Sequence, residues 1–289
     1  MRISIMITTH NRLSDLQRTL AVLKQLDPPP WEILITADGC DDGTIDFVRQ
    51  EMPQARLMIH PEARGSVASR DRMMREATGD LVFSLDDDSY PEQLDCLPRV
   101  TAQFAERPLL AVALFPQRSD EYPPSLTKAE FGKPAFTRSF PNSGAVFRRS
   151  IYLQLPGFEP RFFHAYEEPD YALQCVGHGF EVYYTPVLTI RHHYSGQGRN
   201  RNRIHRRHAR TSIWSALLRC PFPFVIGLIA HRITSHFRYA CSQGAGWIVR
   251  EPIWWCGVAP GIAYCLRRRQ PLPWSAYQRW LNLPDSPTC

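Results

Sequence analysis

Leu81-Val82-Phe83-Ser84-Leu85-Asp86-Asp87-Asp88-Ser89-Tyr90-Pro91 is the stretch that decides the fold. Its apolar first half predicts a buried strand, and three carboxylates follow at the C-terminal end of that strand. In open α/β sheets that edge is where ligands bind. Carboxylates this close repel one another unless a cation sits among them. Asp oxygens with few other ligands suit Mg²⁺ or Mn²⁺, ions that bridge a protein to a diphosphate. A solvated acidic loop is the competing reading, and the strand context favours the metal. A calcium EF-hand loop is excluded. Counted from Asp86, its sixth position is Pro91 where Gly is required, and its twelfth is Leu97 where Glu is required.

Upstream, short apolar strands alternate with amphipathic segments. Strands are predicted at Ile3–Thr8, Glu32–Thr36, Arg56–His60 and Leu81–Leu85. Ser14-Asp15-Leu16-Gln17 reads as a capping box ahead of a helix with Leu13, Leu16, Leu20 and Leu23 on one face. Thr44 is expected to cap a helix through Gln50, Ser66–Ala77 forms another, and Pro91 is expected to open the next at its first position. This alternation predicts a doubly wound, mostly parallel sheet. Further on, Ala145–Phe147 and Val182–Tyr184 read as strands, and Glu167–His178 as a helix.

The 289 residues suit one large domain, or one with an appendage, and 44% hydrophobic content supports a core. Charge divides the chain. Residues 1–198 hold 20 Lys+Arg against 26 Asp+Glu, whereas residues 199–289 hold 14 against 2. The basic excess therefore belongs to the C-terminal segment and points to a polyanionic neighbour. The cysteines have no CxxC spacing, which excludes a zinc ribbon or dithiol motif. No secretory signal is read at the N-terminus, and reduced thiols in a cytoplasmic protein are expected. The apolar runs Phe222–Ala230 and Pro252–Leu266 are shorter than the roughly 20 residues of a spanning helix.

Four polar sites fall at strand ends in order: Thr8-Thr9-His10-Asn11-Arg12, then Asp38-Gly39-Cys40-Asp41-Asp42-Gly43-Thr44, then Gly65, Ser69, Arg70 and Asp71, then Asp86–Asp88. With Asn142–Arg149, Gly157-Phe158 and Tyr166–Asp170 behind them, the chain resembles the family-2 inverting glycosyltransferases of the GT-A fold over residues 3–193. The resemblance implies a Rossmann-like glycosyltransferase domain over 1–198, with a nucleotide half to about 115 and an acceptor half beyond it. A basic, aromatic helical extension over 199–289 follows.

The resemblance also implies roles. Thr8, Asp38 and Arg70 meet the nucleotide, with Asp86 and Asp87 beside the donor. Asp86 and Asp88 hold Mn²⁺ or Mg²⁺, with Asp88 the main ligand, and His192 joins them. Strand alternation lets only one of His192 and His193 face the site. Glu168 is the first choice for the base that takes the acceptor hydroxyl proton, and Asp170 the second. Turn chemistry is the ordinary role of Asp41 and Asp42, and helix capping the competing role of the Glu167–Asp170 acids.

The donor implied is a nucleotide sugar, with UDP- or dTDP-sugars favoured, and the acceptor a glycan or lipid-linked intermediate. The run Arg199, Arg201, Arg203, Arg206, Arg207 and Arg210, with Trp214, Phe222, Phe224, Trp247, Trp254 and Trp255, is read as a peripheral contact with an anionic membrane on its cytoplasmic face. Core packing of those aromatics is the competing reading. Nucleic acid ranks last, since no binding module accompanies the charge. Two rivals remain: a sugar-nucleotide- or membrane-binding protein without turnover, and a nucleotidyltransferase. The second lacks the Gly-rich loop after strand one.

Overall fold

The computed structural model describes residues 1–121, 132–193 and 200–287. The strands are β1 (Ile3–Thr9), β2 (Glu32–Asp38), β3 (Arg56–His60), β4 (Leu81–Asp86), β5 (Ser89–Pro91), β6 (Leu110–Leu114), β7 (Gln117–Arg118), β8 (Ala135–Phe136), β9 (Ala145–Arg148), β10 (Glu181–Tyr184) and β11 (Ile190–His192). Between them run α1 (Leu13–Leu23), α2 (Thr44–Glu51), α3 (Ser66–Glu76), α4 (Cys96–Glu106), α5 (Arg149–Gln154) and α6 (Glu167–Gly177). The C-terminal part adds α7 (Arg201–Arg219), α8 (Phe224–Gln243), α9 (Ala245–Ile248), α10 (Glu251–Cys256), α11 (Ala259–Arg267) and α12 (Trp274–Leu281).

Eight strands form one sheet in the order β3-β2-β1-β4-β9-β6-β10-β8. It is mostly parallel, as the alternation predicts; β9 and β8 run against their neighbours. The strand order reverses between β1 and β4, and the register there sets Thr8 beside Asp86. A reversal of this kind leaves a crevice at the strands' carboxyl ends, where ligands bind.

Both sheet faces are covered. Ile5, Ile7, Ile35 and Phe83 pack under Leu16, Leu20, Val48, Val100 and Phe104 of α1, α2 and α4. Met6, Leu34, Val82 and Phe147 pack with Met73, Tyr171 and Leu173 of α3 and α6 on the other face. That second cluster continues into the C-terminal helices through Trp214, Leu217, Tyr277 and Trp280. Trp214 donates Nε1–H to the Val258 carbonyl at 2.9 Å, and Trp280 donates to the Arg138 carbonyl at 2.8 Å. These two indoles are core residues with a satisfied polar handle. Phe222 (63% exposed), Phe224 and Ile226 (65% exposed) face outward instead. Arg199 and the Trp254 side chain lie outside what is described.

A second sheet, β5-β11-β7, has three short strands. It corrects one expectation: Pro91 ends β5 rather than opening a helix, and α4 starts only at Cys96. β5 is an edge strand, where a residue without N–H is tolerated. The capping box at Ser14 is also corrected. α1 begins at Leu13 with no side-chain cap of its own, and Asp42 Oδ2 accepts from Leu13 N at 2.9 Å. Asp42 Oδ1 accepts from the Thr44 backbone and hydroxyl at 3.2 and 2.6 Å, so Thr44 opens α2 behind a left-handed Gly43 rather than capping it. One carboxylate thus serves two helix N-termini.

Candidate functional site

The acidic turn leaves β4 at the switch point. Ser89 Oγ accepts from Asp86 N at 2.8 Å, which folds the turn back into β5. Asp88 is only 1% exposed, a placement that requires compensating charge. Arg12 supplies it from the loop after β1, with Nη2 2.7 Å from Asp88 Oδ2 and Nη1 2.9 Å from Asp87 Oδ1. Burial opposes the charge on Asp88, but His192 and Arg12 outweigh it and hold its carboxyl below the usual range. Burial pushes Asp87 up to about 8, against Arg12 and with help from Asp88 and Asp86. Asp86 is paired with Arg70 of α3.

Antiparallel pairing of β11 with β5 sets His192 opposite Ser89. His192 Nε2 then lies 3.3 Å from Asp88 Oδ1, while Nδ1 meets the Gln117 carbonyl oxygen at 3.1 Å. An amide oxygen accepts only, so Nδ1–H donates to Gln117 and Nε2 is the ring nitrogen that faces Asp88. Asp88 Oδ1 is buried and accepts no hydrogen bond from a described residue. Ligand atoms of Asp86, Asp88 and His192 lie within 4.8 Å of one another. Two carboxylates and an imidazole nitrogen gathered this closely form a donor set that fits a divalent cation. His193 turns the other way, to Tyr90 Oη at 2.9 Å and Glu121 at 2.9 Å.

On the other side of β1, Asp38 ends β2. Its Oδ1 meets His60 Nδ1 at 2.8 Å and accepts from Arg64 N at 2.9 Å; its Oδ2 accepts from Gly65 N at 2.8 Å. Asp38 therefore orders the loop that leads into α3. Gly65 has φ +92°, and any Cβ there would run into Phe163. Thr8, Asp38, Arg70 and the three aspartates all line one cavity of about 1250 Å³.

The far wall of that cavity is the start of α6. Asn142 donates its backbone N–H to Glu168 Oε1 at 3.1 Å and its amide Nδ2 to Glu167 Oε1 at 3.2 Å. Burial and the neighbouring Glu167 push the Glu168 carboxyl up to about 8, against the Asn142 N–H and Arg70. The chain reaches this helix through Phe163, Ala165 and Tyr166, all at positive φ. Such backbone costs about 1–3 kcal/mol per residue and clusters where geometry serves a site.

The structure does not bring Asp170 to the cavity. Asp170 is 1% exposed beneath α6, bound by Ser215 Oγ at 2.7 Å, Gln174 Nε2 at 2.8 Å and Arg219 Nη2 at 3.3 Å. Its surroundings are those of a residue that docks α7 onto α6. Four residues that sequence reasoning left without a role sit in or behind the wall: Arg12, His60, Gln117 and Asn142. Only Arg12 and Asn142 lay inside motifs; the partners of His60 and Gln117 are set by strand pairing.

Switch-point crevice, strand-end carboxylates and three-stranded β5-β11-β7 sheet together define a GT-A-like α/β protein. A family model described as glycosyl transferase family 2 matches residues 4–157, and the chain belongs to that family. Among curated relatives, the uncharacterized glycosyltransferase YwdF of Bacillus subtilis (strain 168) is 25% identical over 211 residues, 70% of this chain and 78% of that one. Glycosyltransferase AglE of Haloferax volcanii is 30% identical over 96 residues, 32% of each chain.

Among solved structures, mannosyltransferase PcManGT from Pyrobaculum calidifontis, in complex with GDP-Man and Mn²⁺, aligns with TM-score 0.60 at 19% identity, over 97% of this chain and 84% of that one. S. aureus TarS 1–349 with UDP-GlcNAc aligns with TM-score 0.59 at 14% identity, over 83% and 73%. GalNAc-T7 with UDP, GalNAc and Mn²⁺ aligns with TM-score 0.60 at 11% identity, over 74% of this chain but only 47% of that longer one. At these identities the likeness is one of fold.

Proposed function

We propose that this glycosyltransferase is metal-dependent and inverting, and moves a sugar from a nucleotide-sugar donor to a hydroxyl of a glycan or lipid-linked acceptor in cell-surface polysaccharide synthesis. The observation that carries the reading is the convergence of Asp86, Asp88 and His192 at the switch point, facing Glu168 in the same cavity. Those three side chains would hold Mn²⁺ or Mg²⁺, which when bound neutralises the donor diphosphate and makes the nucleoside diphosphate a better leaving group. Thr8 and Asp38 take the nucleotide base; Asp38 Oδ2, with one bond from Gly65, keeps acceptor capacity for an imide N–H. A UDP- or dTDP-sugar is the favoured donor. Arg70, released from Asp86, turns to the diphosphate, and Asp87 stays with Arg12.

Glu168 removes the proton from the acceptor hydroxyl. The oxygen then attacks the anomeric carbon on the face away from the diphosphate, and the bond to the diphosphate breaks as the new one forms. Residues 199–289 form the basic extension of a 1–198 catalytic unit. No helix among the described residues is long and apolar enough to cross a membrane. The exposed Phe222, Phe224 and Ile226, with Arg269 over the Phe222 ring at 4.5 Å, support a peripheral seat on the cytoplasmic face of an anionic membrane.

The test is thermal unfolding with UDP-, dTDP- and GDP-sugars, with and without Mn²⁺, for wild type and Asp88→Ala. The reading expects a Mn²⁺-dependent rise in midpoint with one donor, abolished by the substitution. Absence of any shift from a folded protein would overturn it.

A further inference from the structure

The cavity of about 1250 Å³ is larger than one small-ligand site requires, which is about 300–1000 Å³. Beyond Glu168 its wall passes to α7 and α8, and the chemistry changes. Arg203 and Arg207 of α7 and Arg232 of α8 line this lobe, with His208, His231 and His236. None of these three arginines makes an ion pair with a described carboxylate. The one acid among the cavity residues of the C-terminal helices and tail, Asp285, is already held by Nε and Nη2 of Arg138.

Arg232 is the decisive residue. It is 8% exposed, yet its described partners are all neutral: the Ser212 carbonyl, Tyr277 Oη at 3.2 Å and the Tyr166 ring at 5.0 Å. Burial opposes its charge and the more distant Asp170 carboxylate helps offset that, but no described carboxylate touches it, so an anion entering the cavity would be its first direct counter-charge. Arg203 and Arg207 stand one helical turn apart, a like-charge pair that destabilises a helix unless something negative lies over it. Burial and the charges of Arg203 and Arg206 pull Arg207 below the usual arginine value, as expected of a cation short of anions. Tyr166 lies two residues before Glu168, so Arg232 marks the side of the lobe that adjoins the proposed base rather than the Asp86–Asp88 turn.

We propose that this lobe is the acceptor site and that the acceptor carries a phosphate or diphosphate group, gripped by Arg203, Arg207 and Arg232 while its hydroxyl lies at Glu168. The proposal rests on the donor and base assignments above. Planar guanidinium forks match phosphate oxygens two at a time, and three of them suit a group with more than one negative charge. A phosphorylated lipid and a water-soluble phosphate ester share this chemistry.

The test is calorimetric titration of the full chain with octyl phosphate, glycerol phosphate, octanoate and octyl glucoside. Wild type, Asp88→Asn, Arg232→Gln and the double variant Arg203→Gln/Arg207→Gln are compared. The proposal expects octyl phosphate to bind wild type and Asp88→Asn alike, and each arginine variant roughly tenfold or more weakly. Glycerol phosphate binding as tightly as octyl phosphate assigns a soluble ester; octyl phosphate binding alone assigns a lipid. Equal affinity for octanoate or octyl glucoside, or arginine variants that bind octyl phosphate normally, overturns it. So does a double variant that loses UDP with Mn²⁺ and keeps octyl phosphate, because the arginines would then serve the donor. Arg203 is exposed and Arg207 half-buried, so the double variant stays informative where Arg232→Gln fails to fold. Loss of UDP binding by Asp88→Asn with octyl phosphate retained separates the two sites.

Discussion

His192 Nε2 lies 3.3 Å from Asp88 Oδ1, and the Gln117 amide oxygen behind the ring accepts from Nδ1–H and so orients it. Three chain segments meet there because β11 pairs with both β5 and β7. Imidazole suits Mn²⁺ better than Mg²⁺. His192→Ala is therefore expected to weaken Mn²⁺ and narrow the difference between the two ions. Gln117→Ala leaves every proposed ligand in place but removes the acceptor that orients Nδ1–H, and is expected to cost roughly 10–100-fold in Mn²⁺ affinity. Calorimetric titration with each ion reads both; unchanged Mn²⁺ affinity in His192→Ala would remove the imidazole from the ligand set.

Glu168 supplies the second prediction. Glu168→Gln keeps an acceptor for the Asn142 N–H but cannot take a proton. Turnover is expected to fall roughly 10²–10⁴-fold with donor affinity unchanged. The sign of the pH dependence follows from the raised carboxyl. A base with pKa pushed up to about 8 is mostly protonated, and inactive, at neutral pH. In wild type kcat/KM should climb about tenfold per pH unit and level off above about 8, since the ionised fraction sets the rate. A flat profile from pH 6 to 9 would point to another base.

Local pattern made the sheet legible, and long-range pairing hid much of the site. The β1 and β4 strands, and the carboxylates beyond β4, were readable because a buried strand is a short apolar run followed by an abrupt polar turn. Strand alternation left either His192 or His193 to face the site, and only the pairing of β11 with β5 sets His192 beside Asp88. Pro91 was misplaced because a missing N–H suits a helix start and an edge strand equally, and only pairing with Ile190 decides. Ser14 carried a capping signature, yet the Leu13 N–H is capped by Asp42, 29 residues beyond Leu13. Arg12 against Asp88, and Arg232 over Tyr166, depend on contacts 76 and 66 residues apart, which no local period records.

Gly65 joins the donor side of the cavity to the strained turn before α6. Its N–H goes to Asp38 Oδ2, and its φ of +92° lies where only glycine is comfortable. Gly65→Ala would carry a Cβ into Phe163 as well as strained backbone. The expected loss of stability is about 1–3 kcal/mol, read from urea unfolding. UDP affinity should fall with it, because the Asp38 carboxylate loses one of its fixed donors. Full nucleotide affinity in a destabilised variant would separate Asp38 from the base.

Asp170 and Glu168 stand two residues apart on α6, and their surroundings predict opposite phenotypes. Glu168 faces the cavity, so its loss should leave the fold intact. Asp170 is buried against Arg219, Ser215 and Gln174, and Asp170→Asn leaves the Arg219 guanidinium without its counter-charge. Breaking one side of a buried pair costs about 3–5 kcal/mol. The variant should therefore unfold at much lower urea, with α7 docking weakened first. At temperatures where it remains folded, its turnover should stay within a few-fold of wild type, because no Asp170 oxygen reaches the cavity. The reverse result, normal stability with turnover lost, would make Asp170 the base and leave Glu168 to position the Asn142 loop.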